Sequence, residues 1–229
     1  MQATITPEKE EKVLILCRAI PEESTKYFQI VCVAGVTDGK EWRRLYPIPF
    51  KPFQPNGGVP FRKRDWIQAV TGPPEDGRDR RQESRKIRMD TVKLLGRMDS
   101  EQLHDFIRPL VSSSVGSIKN RGASLGLVKP IILDYQLDIL STSLIDGQLQ
   151  LTPEGSLAPR SMIKLRQESR YVFVCGDQSE CWCGNQPHKM RILDWEVNEL
   201  YRHVVESTKD HTEIEAKMRA KMFDWMKNE

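Results

Sequence analysis

The chain has 229 residues, enough for one large domain or two small ones, each with its own core. With 38% hydrophobic and 29% charged residues, its composition excludes the profile of a disordered chain. No apolar run approaches the roughly 18 residues of a membrane span, and the polar segment MQATITPEKEEK lacks the order of a secretory signal. We therefore expect a cytoplasmic protein that makes no membrane contact.

The net charge of +3 is unevenly distributed along the chain. Residues 40–88 hold 13 Lys or Arg against 6 Asp or Glu, so the remainder is net acidic. A local basic stretch of this size indicates a polyanionic partner such as nucleic acid.

The first half of the chain is predicted to form short strands followed by a helix. Val, Ile and aromatic residues concentrate in four segments that we predict as strands: 12–20, 27–34, 41–46 and 66–70. Residues 71–90 have no apolar periodicity and are predicted as a solvated, mainly basic loop. Apolar residues at helical spacing predict a helix over 101–110, capped by Ser100.

The second half returns to a β-like pattern and ends with helical spacing. The predicted strands lie in 128–140, 143–152 with a turn at Asp146-Gly147, 162–165, 171–175 and 188–193. A helix is predicted to start near Asp194, and Thr212 with Glu215 forms a capping-box pattern for a second one. This pattern fits two small barrels or one larger α+β domain.

Three cysteines and a histidine cluster near the end of the β-like region. They are Cys175, Cys181, Cys183 and His188, and thiolate and imidazole are the ligands that Zn²⁺ prefers. The spacing is not C-x₂-C, so unligated thiols in a hairpin loop are the alternative to a structural zinc site. Cys17 and Cys32 lie in apolar strands, where cysteine behaves as a small hydrophobe, and no disulfides are expected in the cytoplasm.

Cations alternate with large aromatic rings in the basic stretch. Single-stranded nucleic acids are bound by this combination, because cations follow the phosphates while rings stack on bases. The alternative is that the rings are core residues and the arginines a solvated surface. The predicted contact residues are Trp42, Arg43, Arg44, Tyr46, Arg62, Lys63, Arg64, Trp66, Arg80, Arg81 and Arg85.

The last predicted helix is rich in soft apolar side chains. They could pack on the protein's own core, or they could dock a protein partner or a second copy of the chain. The candidate partner-binding residues are Met218, Met222, Phe223, Trp225 and Met226.

Two catalytic patterns are weak. Gly122-Ala-Ser124-Leu-Gly126 matches the G-x-S-x-G nucleophile elbow, but a β-like run rather than a helix follows it, so we assign no catalytic serine. A metal-dependent nuclease would need paired carboxylates. Asp79 with Glu83, or Asp194 with Glu196, would have to supply them, although such residues more often cap helices.

Several segments together resemble one known family. They are KVLILCRAIPEESTKYFQIVCVAG, EWRRLYPIPF, DRRQES, SLGLVKP and the late C…CxCGNQPHKMRILDWEVNELYR. The chain resembles an uncharacterised prokaryotic family described as dual OB-fold-containing. The late motif of that family is Cys, a short gap and then Cys-x-Gly-His. Here Asn185-Gln186-Pro187 intervene before His188, which weakens the case for zinc.

The resemblance implies a β-rich α+β fold with two consecutive small OB-like β-barrels, an intervening helix and a C-terminal helical tail. We divide the chain into a first barrel with its helix at 1–118, a second barrel at 119–193 and a helical segment at 194–229. OB-folds most often bind oligonucleotides. The leading hypothesis is a nucleic-acid-binding accessory subunit of a prokaryotic defence or nucleic-acid-processing complex, and the alternatives are an adaptor docking a larger enzyme through its last helix, or a nuclease.

Overall fold

The computed structural model describes residues 8–24, 26–53, 58, 60–74, 79, 81–139, 149–151, 157–159 and 167–228. The chain forms two compact units, Met1–Lys129 and Pro130–Glu229. No helix in these ranges is long and apolar enough to cross a membrane.

The first unit is mainly β-structure. Its elements, in chain order, are β1 (Lys9–Arg18), β2 (Glu22–Ser24), β3 (Phe28–Thr37), β4 (Trp42–Pro49), β5 (Asp65–Gly72), β6 (Ser84–Ile87), β7 (Lys93–Arg97), α1 (Ser100–Ile107), β8 (Val111–Ser112), α2 (Val115–Asn120) and β9 (Leu127–Val128).

Five of these strands close into a barrel. Their order around it is β1, β3, β4, β6, β5, and β5 pairs back onto β1. Neighbours are antiparallel except β4 and β6, which run parallel. Closure satisfies the backbone hydrogen-bonding groups that an open sheet would leave at its edges.

Alternating side chains give the barrel an apolar interior and a polar exterior. Along β4, Leu45 and Ile48 are fully buried, whereas Trp42, Arg44 and Tyr46 are half-buried on the outside. Burying a large aliphatic side chain contributes about 1.5–3 kcal/mol. The interior is lined by Val13, Ile15, Val31, Val33, Leu45, Ile48, Ile67 and Ala69.

The prediction of a loop throughout residues 71–90 is wrong for its second part. Residues 84–87 form β6, which joins β4 to β5 and completes the barrel. Ser84 and Ile87 are buried while Arg85 and Lys86 lie between them with more exposure. A four-residue strand with charged residues at its centre is too short to show a period of two.

The second unit combines a small sheet with two C-terminal helices. Its elements are β10 (Pro130–Ile139), β11 (Leu149–Leu151), β12 (Leu157–Pro159), β13 (Gln167–Cys175), β14 (His188–Arg191), α3 (Trp195–Ser207) and α4 (His211–Asn228). The predicted helix start near Asp194 is confirmed, since the Asp194 carboxylate accepts a hydrogen bond from the Glu196 amide at 2.8 Å.

The core of the second unit lies between the sheet and these helices. Tyr135 of β10 is 1% exposed and packs with Tyr201, Met218 and Met222. Its hydroxyl hydrogen-bonds to the Ser169 hydroxyl at 2.8 Å, which satisfies the polar group inside the core.

A β-rich second unit is thus observed, while the second barrel remains a prediction. In the described ranges β10, β13 and β14 form one sheet and β11 pairs only with β12. The predicted turn at Asp146-Gly147 and the predicted strand at 162–165 lie outside the described residues.

Candidate functional site

The sheet of the second unit brings a predicted ligand from each of two strands together. Cys175 ends β13 and His188 begins β14. Phe173 pairs with His188 in the antiparallel register, so Cys175 is diagonal to the histidine. The connecting loop turns back through a hydrogen bond from the Cys181 amide to the Gln178 carbonyl at 3.1 Å, and Cys183 follows in a 3₁₀ turn, Trp182–Gly184.

All four predicted metal ligands converge. Their ligand atoms lie within 4.8 Å of one another. The Cys175 and Cys181 sulfurs are 3.8 Å apart, and His188 Nε2 lies 3.6 Å from the first and 3.2 Å from the second. A tetrahedral zinc ion would need edges of about 3.8 Å between sulfurs and about 3.5 Å between sulfur and nitrogen. The observed spacing therefore fits a metal, and it is far longer than the roughly 2.05 Å of a disulfide.

The four ligand side chains are shielded from solvent. Cys175 and Cys183 are 0% exposed, Cys181 is 8% and His188 is 5%. The Cys175 amide donates to the Cys183 sulfur at 3.3 Å, a contact that stabilises negative charge on sulfur. The buried Cys₃His cluster can therefore hold a metal such as zinc with four protein ligands.

The insertion before the histidine does not separate it from the cysteines. Asn185 continues the 3₁₀ turn, with its amide 3.0 Å from the Trp182 carbonyl, and Pro187 leads directly into β14. The three inserted residues thus complete the loop and leave His188 facing the sulfurs.

The carboxylates proposed for nuclease chemistry have other partners. Asp79 accepts from Arg44 at 2.7 Å and from the Ser84 hydroxyl at 2.8 Å. Burial opposes its ionisation, but these contacts hold the pKa of Asp79 below its ordinary value. Glu83 accepts from the Ser124 amide at 2.6 Å and the Leu125 amide at 3.2 Å.

Neither carboxylate belongs to a metal-ligand group. Among the residues that the structure describes, the Cys₃His cluster is the one group of three or more candidate ligands. Asp194 caps α3. Ser124 lies between helix α2 and strand β9, the reverse of the strand-to-helix order of a nucleophile elbow.

Three of the predicted nucleic-acid contacts share the outer face of β4. Trp42, Arg44 and Tyr46 alternate with buried residues. The Arg44 guanidinium lies 4.3 Å from the centre of the Tyr46 ring, a cation–π contact. Arg81, half exposed, precedes β6, and Arg85 within β6 is opposite Leu45 of β4. Arg80 lies outside the described residues.

Arg43 points to the other side of β4 and is 4% exposed. Its guanidinium donates to Glu11 at 2.7 Å and pairs with Glu41. Burial opposes ionisation of Glu11, yet hydrogen bonds from Arg43 and the Thr71 hydroxyl lower its pKa to about 2. Arg43 is therefore engaged within the barrel wall rather than on the β4 face.

The remaining predicted contacts lie at the start of β5, which β6 separates from β4. The Trp66 ring packs edge-on against Phe106 of α1 with centroids 5.4 Å apart. Arg64 donates to the Ser100 hydroxyl at 2.6 Å, and the Lys63 carbonyl accepts from Arg97. Arg62 is exposed. The basic stretch is therefore divided between two places on the barrel.

The apolar side chains of α4 pack on the second unit's own core. Met218 is 0% and Met222 1% exposed, so neither is accessible to a partner. Phe223 and Trp225 are partly buried against the same cluster, and Met226 is half-buried. This packing corresponds to the alternative predicted from the sequence, in which the helix lies on the protein's own core.

One prominent residue, Trp182, was not among the predicted site residues. It is 56% exposed although it stands between the buried ligands Cys181 and Cys183. The sequence contained a signal for the exposure of Trp182, because a residue between two inward-facing cysteines in a tight loop points outward.

Family models cover both units. Residues 9–113 match a model described as "Domain of unknown function (DUF8758)", and residues 117–229 match one described as "Domain of unknown function (DUF8757)". No curated protein and no solved structure matches the chain. Two adjacent domains of unknown function therefore cover the chain, in agreement with an uncharacterised two-domain family.

Proposed function

We propose that the first unit is an OB-like barrel that binds single-stranded nucleic acid across the outer face of β3 and β4. A five-stranded Greek-key barrel that binds oligonucleotides on its second and third strands and the adjacent loops is the OB pattern. Here β3 and β4 are the second and third barrel strands, and the segment between β5 and β6 is one of those loops.

The Arg44–Tyr46 pair is the observation that carries this proposal. It places a cation 4.3 Å from an aromatic ring on an outward face, with Trp42 on the same side of the strand. Rings of this kind stack on bases, while arginines contact phosphates. Asp79 holds one guanidinium nitrogen of Arg44 at 2.7 Å, which orients the side chain and leaves further donors for a phosphate.

Arg81 supplies a second cation beside this face. Its side chain is 49% exposed and lies 4.0 Å from Asp79, the carboxylate that also binds Arg44. Two arginines arranged around one carboxylate keep a net positive charge there. That charge favours the backbone of a nucleic acid.

We further infer that the Cys₃His cluster holds a structural zinc ion. Four buried protein ligands whose atoms lie within 4.8 Å of one another would leave no open coordination position for a substrate, which is the arrangement of structural rather than catalytic sites. The ion would connect the end of β13, the loop and the start of β14.

Fluorescence anisotropy of labelled single-stranded DNA, single-stranded RNA and duplex tests the binding proposal. Arg81→Ala is compared with Arg88→Ala, because both side chains are 49% exposed and paired with an aspartate. We expect single-strand affinity to fall with salt, by a slope of about 0.7 per phosphate contact, and Arg81→Ala to remove about one contact. Arg88→Ala should bind as wild type.

The aromatic contribution is measured with Trp42→Ala and Tyr46→Ala. Loss of one stacked base costs about 1–3 kcal/mol, or about 5- to 150-fold in affinity. Absence of binding to either single strand at about 50 mM salt, where phosphate contacts are strongest, would refute the proposal.

A further inference from the structure

Trp182 begins a short 3₁₀ turn and leaves its ring in solvent. Its ring is 56% exposed, whereas the residues on either side are 8% and 0% exposed. Tryptophan is highly buried on average, so an exposure of this size is uncommon for this residue type. The Trp182 carbonyl accepts a hydrogen bond from the Asn185 amide at 3.0 Å, and the side chains on either side are buried, so local contacts hold this residue in the turn.

The ring is the outermost of three packed aromatic groups. Phe173 lies 5.0 Å from the His188 ring, and His188 lies 5.5 Å from the Trp182 ring, which meets it edge-on at 64°. The first two groups are buried. His188 therefore supports one edge of the indole and leaves much of its surface open for a flat ligand.

The surrounding loop offers uncharged hydrogen-bonding groups beside the ring. Gln178, Asn185 and Gln186 are exposed amides, which donate and accept as base edges do. Residues 176–187 contain the acids Asp177 and Glu180 and no Lys or Arg, and Arg191 of β14 is paired with Glu168 at 3.3 Å. This loop therefore does not attract a phosphate. A planar group with polar edges fits its ring and amides.

A methylated ammonium group fits less well. Its recognition requires a cage of several aromatic rings. In the described part of the chain Trp182 is the single aromatic residue among the exposed large apolar side chains. One open ring with adjacent amides matches the stacking of an unpaired base.

We propose that Trp182 is a base-stacking site for an unpaired nucleobase of single-stranded nucleic acid, presented by the Cys₃His loop. This inference rests on the proposed nucleic-acid-binding function and adds a second contact, in the second unit. The contact is one of stacking, whereas Arg44 and Arg81 supply charge. It therefore discriminates single strands from duplex, in which bases are not free to stack on a side chain.

The test uses the full chain with Trp182→Ala, Trp182→Phe and, as control, Met190→Ala. Met190 is also exposed, at 39%, and lies in β14 of the same unit. Trp182→Ala should weaken binding of single-stranded DNA or RNA about 5- to 150-fold. Trp182→Phe should lose less, Met190→Ala nothing, and duplex binding should not change in any of the three.

Intrinsic fluorescence provides a readout that does not depend on the alanine variant. A base stacked on an indole quenches its emission, so wild type should show more quenching by an oligonucleotide than Trp182→Phe. Equal quenching, together with wild-type affinity of Trp182→Ala, would overturn the stacking site. If Arg81→Ala still weakens binding in that case, the proposed function stands without it. If the wild-type chain binds no oligonucleotide, both fall.

Discussion

We expect removal of the proposed zinc ion to unfold the second unit while the barrel stays folded. Structural zinc sites contribute an apparent 10–16 kcal/mol in zinc-finger peptides, and a whole domain is stable by only about 5–15 kcal/mol. In this protein the ion would be bound by two strands and the loop between them, in a sheet of three strands. Loss of the ion therefore removes a free energy comparable with the total stability of the unit.

The perturbation is Cys183→Ser, with Cys32→Ser as the matched control. Cys183 is 0% exposed within the cluster, whereas Cys32 is a half-buried residue of β3 in the barrel. Elemental analysis should find one zinc per wild-type chain and per Cys32→Ser chain, and much less in Cys183→Ser. In calorimetry, the unfolding transition of the second unit should be absent, or its melting temperature strongly lowered, in Cys183→Ser and in chelator-treated wild type.

Two results would refute this reasoning. One is a wild-type chain that purifies without metal and retains a cooperative transition for the second unit. The other is a chelator that removes the ion and leaves the melting curve unchanged. Either result would mean that packing around Tyr135 and Met218 stabilises the unit without a metal.

Three further predictions concern the barrel. Arg43→Ala should destabilise it by about 1.5–3 kcal/mol in urea unfolding, because buried Glu11 loses its arginine partner and keeps only Lys9 at 2.9 Å and the Thr71 hydroxyl; a loss no larger than that of the exposed Arg88→Ala would contradict this. Because the pKa of Glu11 lies near 2 instead of 4.5, its contribution of about 3 kcal/mol is present above pH 4.5 and is lost as the pH falls towards 2. Glu11→Gln should therefore lose less stability over that range than wild type, and parallel curves would contradict it. Gly35→Ala should cost about 1–3 kcal/mol, since a Cβ there would lie 2.6 Å from the Leu14 carbonyl oxygen; an unchanged melting temperature would show that β1 and β3 can separate.

The strands with a strong apolar pattern could be predicted from the sequence. The predicted strands 12–20 and 27–34 overlap β1 and β3, since both are long and rich in Val and Ile. The convergence of Cys175, Cys181, Cys183 and His188 was also predicted, because thiolate and imidazole close together in a short loop are the ligands that zinc prefers. The 3₁₀ turn that follows Cys181 and contains Cys183 is not visible in the spacing of the cysteines.

Features that depend on tertiary contacts were not predictable. β6 is defined by its pairing with β4 and β5 rather than by its own pattern. The different surroundings of two neighbouring arginines were not predictable either. Arg43 and Arg44 are the same residue type, but the pleat of β4 turns Arg43 towards Glu11 and Arg44 towards Asp79.

Two kinds of contact can be separated by their response to salt. A phosphate contact by Arg81 releases counterions, so its removal should reduce the slope of log affinity against log salt concentration. A stacking contact by Trp182 releases none, so Trp182→Ala should shift the whole line to weaker binding with its slope preserved. A slope that changes for Trp182→Ala would mean that the variant disturbs the charged surface. A uniform shift for Arg81→Ala would mean that Arg81 does not contact phosphate.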